Sequence, residues 1–550
     1  MDNATAPRRQ TESRAELFSA IDADLAIVED AQMASMPKSK SERALLVFGI
    51  LLLLVGLSYG LADWRGNSAW EKYKREWEAK GEKFDFKDFV PKPVADDQNF
   101  ALTPIIASSY EYILDKNGHR IIPQNTNVID RLSLKIFDEY SSDNPTNGYW
   151  AIGRKTDLKA FQLYYRTLAA KTNEFPIASQ PQSPAADVLL ALSKYDSTIE
   201  ELRVASRLPD SRFPLNYEAD PPAIILLPHL AGLKYCSQVL QLRAVAELQN
   251  NQSDKALADV KLSLRLIDSI RIEPFLISHL VRIAMVQITL QPIWEGLTEH
   301  KWSDAQLAEL NQELAKLDFL TDYEFSMRGE RANSIAGVDH LRRKRDFQEM
   351  INIDSMDSDT SGIDRETPFS QQLAGIAYHL IPSSVFYQNE LAIAQMHQQW
   401  TLQFVNIEQR LVLPEITTNF SNAIDKMRQH WSPNNILALI MLPAVGTTVR
   451  KYACAQSSVD MARVACALER YRLAHGEYPE TLDVLVPQFI EKIPRDIIGG
   501  QPLHYRRTDD GKFLLYSVGW NETDDGGVIV FRKDSKTSID NVQGDWVWKN

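Results

Sequence analysis

Hydrophobic and polar positions divide the chain into three regimes. From Ala44 to Ala62 (ALLVFGILLLLVGLSYGLA) no charge interrupts the run, which is long enough to cross the hydrocarbon of a bilayer as one helix. From there to about residue 430 the apolar spacing is helical. His229 to Gln249 is one periodic stretch, Asn250-Asn251-Gln252-Ser253 makes a turn, and Leu257, Val260, Leu264 and Ile267 mark the inner stripe of a partner helix. Ser303 to Gln306 reads as a capping box ahead of a face formed by Leu307, Leu310, Leu314 and Leu317. Phe275 to Trp294 is more apolar, but His279, Arg282 and Gln287 interrupt it, which predicts a core helix and not a second span. Ile436 to Val445 is too short to span and contains Pro443, so it too reads as buried helix.

The third regime begins after a last helix. Met461, Val464, Ala465, Leu468 and Tyr471 lie on one helical face, and Gly476 with Pro479 beyond supplies the stop. This helix is expected to pack on a sheet. Leu503-His504-Tyr505-Arg506-Arg507, a turn at Asp509-Asp510-Gly511, and Phe513-Leu514-Leu515-Tyr516-Ser517-Val518 predict a hairpin, with Val528 to Phe531 as a third strand.

The expected fold class is mainly α: one N-terminal transmembrane helix, a large irregular helical bundle, and a C-terminal α+β module with a small antiparallel sheet. The helix pair at 229–267 looks like a tetratricopeptide-type hairpin, though no 34-residue recurrence accompanies it. Five segments follow: a polar cytoplasmic tail 1–43, the anchor 44–62, a stalk and extended linker 63–130, a helical domain 131–430 and the module 431–550. The stalk reading rests on the Trp-, Lys- and Glu-rich stretch Trp64 to Lys92, the linker on a turn at Asp115-Lys116-Asn117-Gly118. A second loop is expected at Asp143 to Gly148.

Composition narrows the class of role. Across 550 residues, 44% are hydrophobic and 24% charged, an ordinary globular balance with enough chain for more than one core. A net charge of -13 disfavours a broad nucleic-acid footprint, and the one dense basic run, Arg342-Arg343-Lys344-Arg345, reads as a solvated helix end. Cys236, Cys454 and Cys466 read as small core residues. The acidic, serine-rich Asp354 to Glu366 lacks the spacing and central glycine of an EF-hand loop. Lys38, Lys40 and Arg43 precede the apolar run and Arg65, Lys72, Lys74 and Arg75 follow it, so flanking charge does not set its direction.

Taken in order, Tyr471-Arg472-Leu473-Ala474-His475-Gly476-Glu477-Tyr478-Pro479, Ile493-Pro494-Arg495-Asp496, the hairpin, an acidic glycine-containing loop and Gly544-Asp545-Trp546 resemble the C-terminal half of a type II secretion major pseudopilin. The resemblance covers about 110 residues by this count of the segments just named. The whole chain also resembles large membrane-anchored proteins of bacteria. The resemblance implies a place outside the cytoplasmic membrane and a packing or assembly role. It also implies calcium, held in the family by oxygens of the loop and by an aspartate near the terminal tryptophan. Asn521, Asp524, Asp525 and Asp545 occupy the matching regions here, and hard oxygen donors suit that ion. The bland reading of Asp524-Asp525-Gly526-Gly527 is a polar turn. One departure matters: no leader and cleavage site of the family precedes Ile436 or Ala44, so the module is internal and does not polymerise in the usual way.

No catalytic constellation stands out. There is no metal-binding His-Glu-x-x-His, no Gly-x-Ser-x-Gly elbow and no phosphate loop. Gly329-Glu330-Arg331 with His340 could be cast as acid, clamp and base, but on helices of a bundle such groups are surface pairs or satisfied core groups. The expectation is an envelope scaffold with protein partners, accessory to secretion or surface assembly, anchored in the inner membrane with its bulk outside. The alternative is an envelope hydrolase with its site in a cleft of the helical domain.

Overall fold

The computed structural model describes residues 40–107, 131–137, 144–172, 174–345, 378–535 and 537–550, together with the two-residue strands β1 (Ile113–Leu114) and β2 (Arg120–Ile121). The expected tail up to residue 39, the turn at 115–118, the start of the loop at 143 and the acidic break 354–366 lie outside the described residues. The molecule is mainly helical, with 61% helix and 7% strand, and its larger antiparallel sheet lies near the C-terminus.

Two units divide the chain, Met1–Ser68 and Ala69–Asn550. The described part of the first is most of helix α1 (Lys40–Glu78), whose apolar run is exposed along its whole length, from Leu45 at 69% to Leu61 at 50%. By length and composition two further helical stretches could also cross a membrane, Leu276–Thr298 and Ile436–His475. Inside the second unit the first is largely packed against protein and carries buried His279, Arg282 and Glu295, whereas the apolar start of the second is buried only in part, with Ile436 and Ile440 exposed.

The second unit begins with a correction to the expected stalk. Trp70, Tyr73 and Trp77 recur at helical spacing on the last turns of α1, and the chain then reverses so that Phe84 meets Trp70 edge-on at 5.8 Å. Phe86, Phe89, Phe100, Ile105 and Ile106 are buried in turn. Residues 69–107 are therefore a strap bound to the body. Most of the charged residues between the aromatics face outward, Glu82 being the exception, which is why composition alone suggests a solvated spacer. Glu82 fastens this strap: its carboxylate accepts from Arg328 at 3.0 Å and from Arg331 at 2.7 Å, while the Phe84 ring lies 4.4 Å from the Arg331 guanidinium.

The body is built from α2 (Leu158–Ala169), α3 (Pro184–Leu192), α4 (Asp196–Ala205), the hairpin α5 (His229–Gln249) and α6 (Ser253–Ser269), α7 (Leu276–Thr298), α8 (Asp304–Leu314), α9 (Phe319–Lys344), α10 (Ser383–Gln399), α11 (Pro414–Gln429) and α12 (Ile436–Gly446). The capping box expected at Ser303 is present in both directions, Gln306 N to Ser303 Oγ at 3.3 Å and Ser303 N to Gln306 Oε1 at 3.0 Å. A small hairpin, β3 (Val405–Asn406) and β4 (Leu411–Val412), separates α10 from α11.

Helix α13 (Thr448–His475) is the spine. The sequence shows one apolar face on it, but the structure buries nearly every residue from Val449 to Glu469. It packs on α7, α8 and α9 on one side and on the C-terminal sheet on the other. The expected boundaries at 130/131 and 430/431 both fall within the one unit from Ala69 to Asn550. Gly476 ends the spine at φ 89°, a conformation that glycine adopts without steric cost.

The hairpin follows as expected, β5 (His504–Arg507) against β6 (Phe513–Ser517), with Arg507 opposite Phe513. Its third strand is different. β9 (Trp546–Lys549) pairs with the free edge of β6, Ser517 opposite Trp546, whereas β7 (Ile529–Phe531) pairs with β8 (Ile539–Gly544) in a separate ribbon. Trp548 is completely buried and Trp546 nearly so, a larger apolar contribution than the half-exposed Ile529-Val530-Phe531 can make.

Two glycines of α9 give opposite expectations. A Cβ on Gly329 would lie 2.2 Å from the carbonyl oxygen of Pro274, whereas one on Gly337 would meet only Met441 Cε at 3.7 Å. Gly329→Ala should destabilise by about 1–3 kcal/mol through overpacking. Gly337→Ala should stabilise by about 0.5–1 kcal/mol through helix propensity. Unfolding midpoints of the two variants check both signs.

Candidate functional site: the acidic loop and the corner beside it

The four residues expected to hold calcium come together in one loop. After β6 the chain turns at Gly519, and Asn521 to Gly527 fold back over the start of β9. Asp545, almost wholly buried, accepts from the backbone N–H of Gly527 at 2.6 Å and of Asp525 at 3.3 Å, and its own N–H donates to Val528 O at 2.9 Å. Burial raises its carboxyl above the ordinary aspartate value against the pull of those N–H bonds. Asp524 is turned the other way: its Oδ1 accepts from Gly526 N at 2.9 Å and from Tyr516 Oη at 3.0 Å. The Gly526 bond first, then the Tyr516 bond, hold it below its ordinary value. Asp525 accepts from the Asn521 amide at 2.9 Å.

The donor chemistry suits calcium, but the aim of the groups does not match it. As placed, each carboxylate faces a protein donor, and among the described residues no three His, Cys, Asp or Glu side chains share an ion-sized focus. Exposed Asp525 and half-buried Asn521 lie beside Asp545 through the Asp525 N–H. In this arrangement the loop is a polar clasp that pins the start of β9.

A second polar knot closes the corner at the end of the spine. Glu469, buried at 1% exposure, accepts from Tyr478 Oη at 2.7 Å, from Arg472 at 2.7 and 2.8 Å, and faces His300 Nδ1 at 2.9 Å. The C-terminal residue joins it, Asn550 donating to Tyr478 Oη at 2.8 Å, and Trp294 Nε1 donates to Lys549 O at 2.6 Å. The tyrosine and proline of the corner thus bind the last strand to α7 and α13. Tyr505 completes it by donating to Pro479 O at 2.6 Å.

Two of the groups that could be cast as catalytic, Arg331 and His340, have structural duties. Arg331 is fully buried between Glu82, Gln398 and the Lys83 carbonyl, and His340 Nδ1 lies 3.1 Å from Asp220. Arg342 and Arg343 of the basic run pair with Asp339. A polar cleft of about 580 Å³ does open between β4, the spine and residues 492–500, and four acids line it. Asp318 caps α9 and pairs with Arg410 at 3.0 Å. Asp460 accepts from Gln456 at 3.1 Å, and Asp496 accepts from Ile498 N, Ser517 Oγ and Val518 N at 2.8 to 3.0 Å. Of the four, Asp318, Asp460 and Asp496 are held by these bonds, and burial raises Asp460 to about 6. Comparison with protein-family models, curated proteins and solved structures finds no match.

Two buried glutamates, Glu247 and Glu390, and the partly exposed Glu330 were not legible as a group in the sequence. Burial raises Glu330 to about 7 and Glu390 to about 8, the latter also through Asp339, and it raises Glu247 in the same direction beside Asp259. Among the described residues Glu390 Oε1 has no hydrogen-bond partner. Because the folded pKa lies above the unfolded one, the contribution of Glu390 to native stability is full below about pH 4.5 and falls as pH rises toward 8. Glu390→Gln, which keeps the shape without the charge, should equal the wild type near pH 4.5. Above that it should gain up to about 1.4 kcal/mol per pH unit. Melting curves at pH 5, 6.5 and 8 check it.

Proposed function

We propose that this chain is a membrane-anchored scaffold of the bacterial cell envelope. It holds a pseudopilin-like α+β module in a fixed position for protein partners, as an accessory to secretion or surface assembly. The observation that carries the reading is the pairing of an apolar helix exposed on every side with a body whose core runs without a break into the C-terminal sheet. A soluble fold would leave Leu45 to Leu61 in water at a cost of about 25 cal/mol per Å², which a bilayer removes. In the body, buried Arg331 and Arg282 pair with Glu82 and Asp322, and three of the four acids of the cleft beside the spine are engaged in caps and loop bonds. That pattern favours a scaffold over a hydrolase.

On this reading Ala44 to Ala62 crosses the inner membrane once and the bulk lies on the outer side, since long domains translocate largely regardless of flanking charge. A reporter fused after Asn550 should be active only outside the cytoplasm. A reporter active only in the cytoplasm contradicts the topology and with it the envelope role.

Calcium belongs to the same proposal. Asn521, Asp524, Asp525 and Asp545 gather hard oxygens within one loop, and an ion there would draw Asp524 and Asp525 off Tyr516 and Asn521 toward Asp545. Binding to the native state alone stabilises by about 2.7 kcal/mol at a hundredfold excess over Kd. The melting temperature of the full chain should rise with calcium and not with magnesium, whose small octahedral shell dehydrates reluctantly. Asp524→Asn together with Asp525→Asn, both exposed, should abolish the rise. Identical curves in calcium and chelator reduce the loop to a clasp.

A further inference from the structure

A groove of about 280 Å³ opens between α11, α12 and Trp520 of the loop after β6. Phe420 and Ile424 of α11 and Pro443 and Gly446 of α12 give it apolar walls. The two helices close on each other because Gly446 lacks a side chain, and a Cβ there would lie 2.6 Å from Phe420 Cε1. The hydroxyls along α11 turn back onto their own helix, Thr417 donating to Pro414 O at 2.7 Å and Ser421 to Thr417 O at 3.0 Å.

The charge on this wall reduces to one group. Asp425 and Arg428 pair with each other at 2.7 Å. Arg450, half-buried on the first turn of α13, has no hydrogen bond and no ion pair among the described residues. Its guanidinium lies 5.9 Å from the centre of the Trp520 ring, which keeps it at the groove. Asp540 attracts it from beyond ion-pair distance and Arg532 repels it. A guanidinium half out of water with no oxygen to receive its N–H groups is an incomplete arrangement.

The apolar wall continues outside the groove. Ile436, Ile440, Pro443 and Thr447 recur at helical spacing and form one stripe of α12. Pro443 and Thr447 line the groove, whereas Ile436 and Ile440 are exposed. From Thr447 back to Ile436 the stripe runs about 16 Å at about 1.5 Å per residue.

We propose that this site binds a single-chain lipid anion, with its carboxylate or phosphate on Arg450 and its hydrocarbon along the α12 stripe. A guanidinium fork matches either head two oxygens at a time. The chain then covers apolar surface that water would otherwise wet, which a free anion cannot do. From the envelope reading the proposal takes only the supply of lipid.

The full chain in phosphatidylcholine nanodiscs is irradiated with a photoreactive fatty acid, and labelled peptides are mapped by mass spectrometry. Saturable label is expected on α11 and α12, removed by dodecyl phosphate and not by inorganic phosphate at the same concentration. Arg450→Gln should raise the half-saturating concentration about tenfold, as loss of a charge-assisted pair predicts, with an unchanged melting temperature. Ile440→Asn, at an exposed position, should also raise it. Label confined to α1 overturns the groove and leaves the anchor standing. Label on α12 with none on Ala44 to Ala62 supports the groove and contradicts the anchor. Removal of the label by inorganic phosphate, equal labelling by the corresponding photoreactive alcohol, or an unchanged half-saturating concentration for Arg450→Gln overturns the proposal.

Discussion

Everything in the second unit depends on the burial of α13. A helix with one apolar face can sit at the margin of a domain, but this one is enclosed on all sides, with Val459, Met461, Val464 and Leu468 completely shielded from water. Each such side chain contributes about 1.5–3 kcal/mol relative to an exposed one. To enclose it, the bundle must supply one wall and the sheet the other, so neither can form its core without the spine. Small residues make the fit possible: Ala453, Ala455, Ala462, Ala465 and Ala467 let neighbouring elements approach closely.

Polar groups along the spine then fix its register. Gln456 Oε1 accepts from Phe319 N at 2.8 Å, capping the start of α9, and Tyr452 shares a hydrogen bond of 2.8 Å with Ser326. Such groups are costly in a core unless paired, so a shift of α13 by one residue would strand several donors at once. Glu469 does the same for the corner, where one carboxylate gathers Tyr478, Arg472 and His300. Hydrogen bonds of this kind also hold Asp318, Asp460 and Asp496 in place.

Local signals in the sequence were good guides where a single element decides the outcome. The exposed apolar run, the capping box at Ser303, the stop at Gly476 and the hairpin register around Asp509-Asp510-Gly511 all depend on neighbours a few residues away. What escaped depends on long-range partners. Trp70, Phe84 and Phe86 become core only because α9 offers Arg331 and its surroundings to receive them. Likewise β9 reaches β6 only because Trp548 finds a hole beside Trp150, 5.1 Å away. In the acidic loop the backbone N–H groups of Asp525 and Gly527 reach the Asp545 carboxylate. The direction each carboxylate faces was set by Tyr516 and by backbone N–H groups that no motif encodes.

Native-state hydrogen exchange of the full chain tests the central claim most directly, because amides of α13 and of β6 can be compared with those of α5 to α7 in one experiment. If the spine joins module and body into one cooperative unit, the amides of Val449 to Leu468, of β6 and β9, and of the α5–α7 core should exchange with the same free energy of opening and the same denaturant dependence. A C-terminal module that opens separately, at a lower free energy than the bundle, would contradict the account.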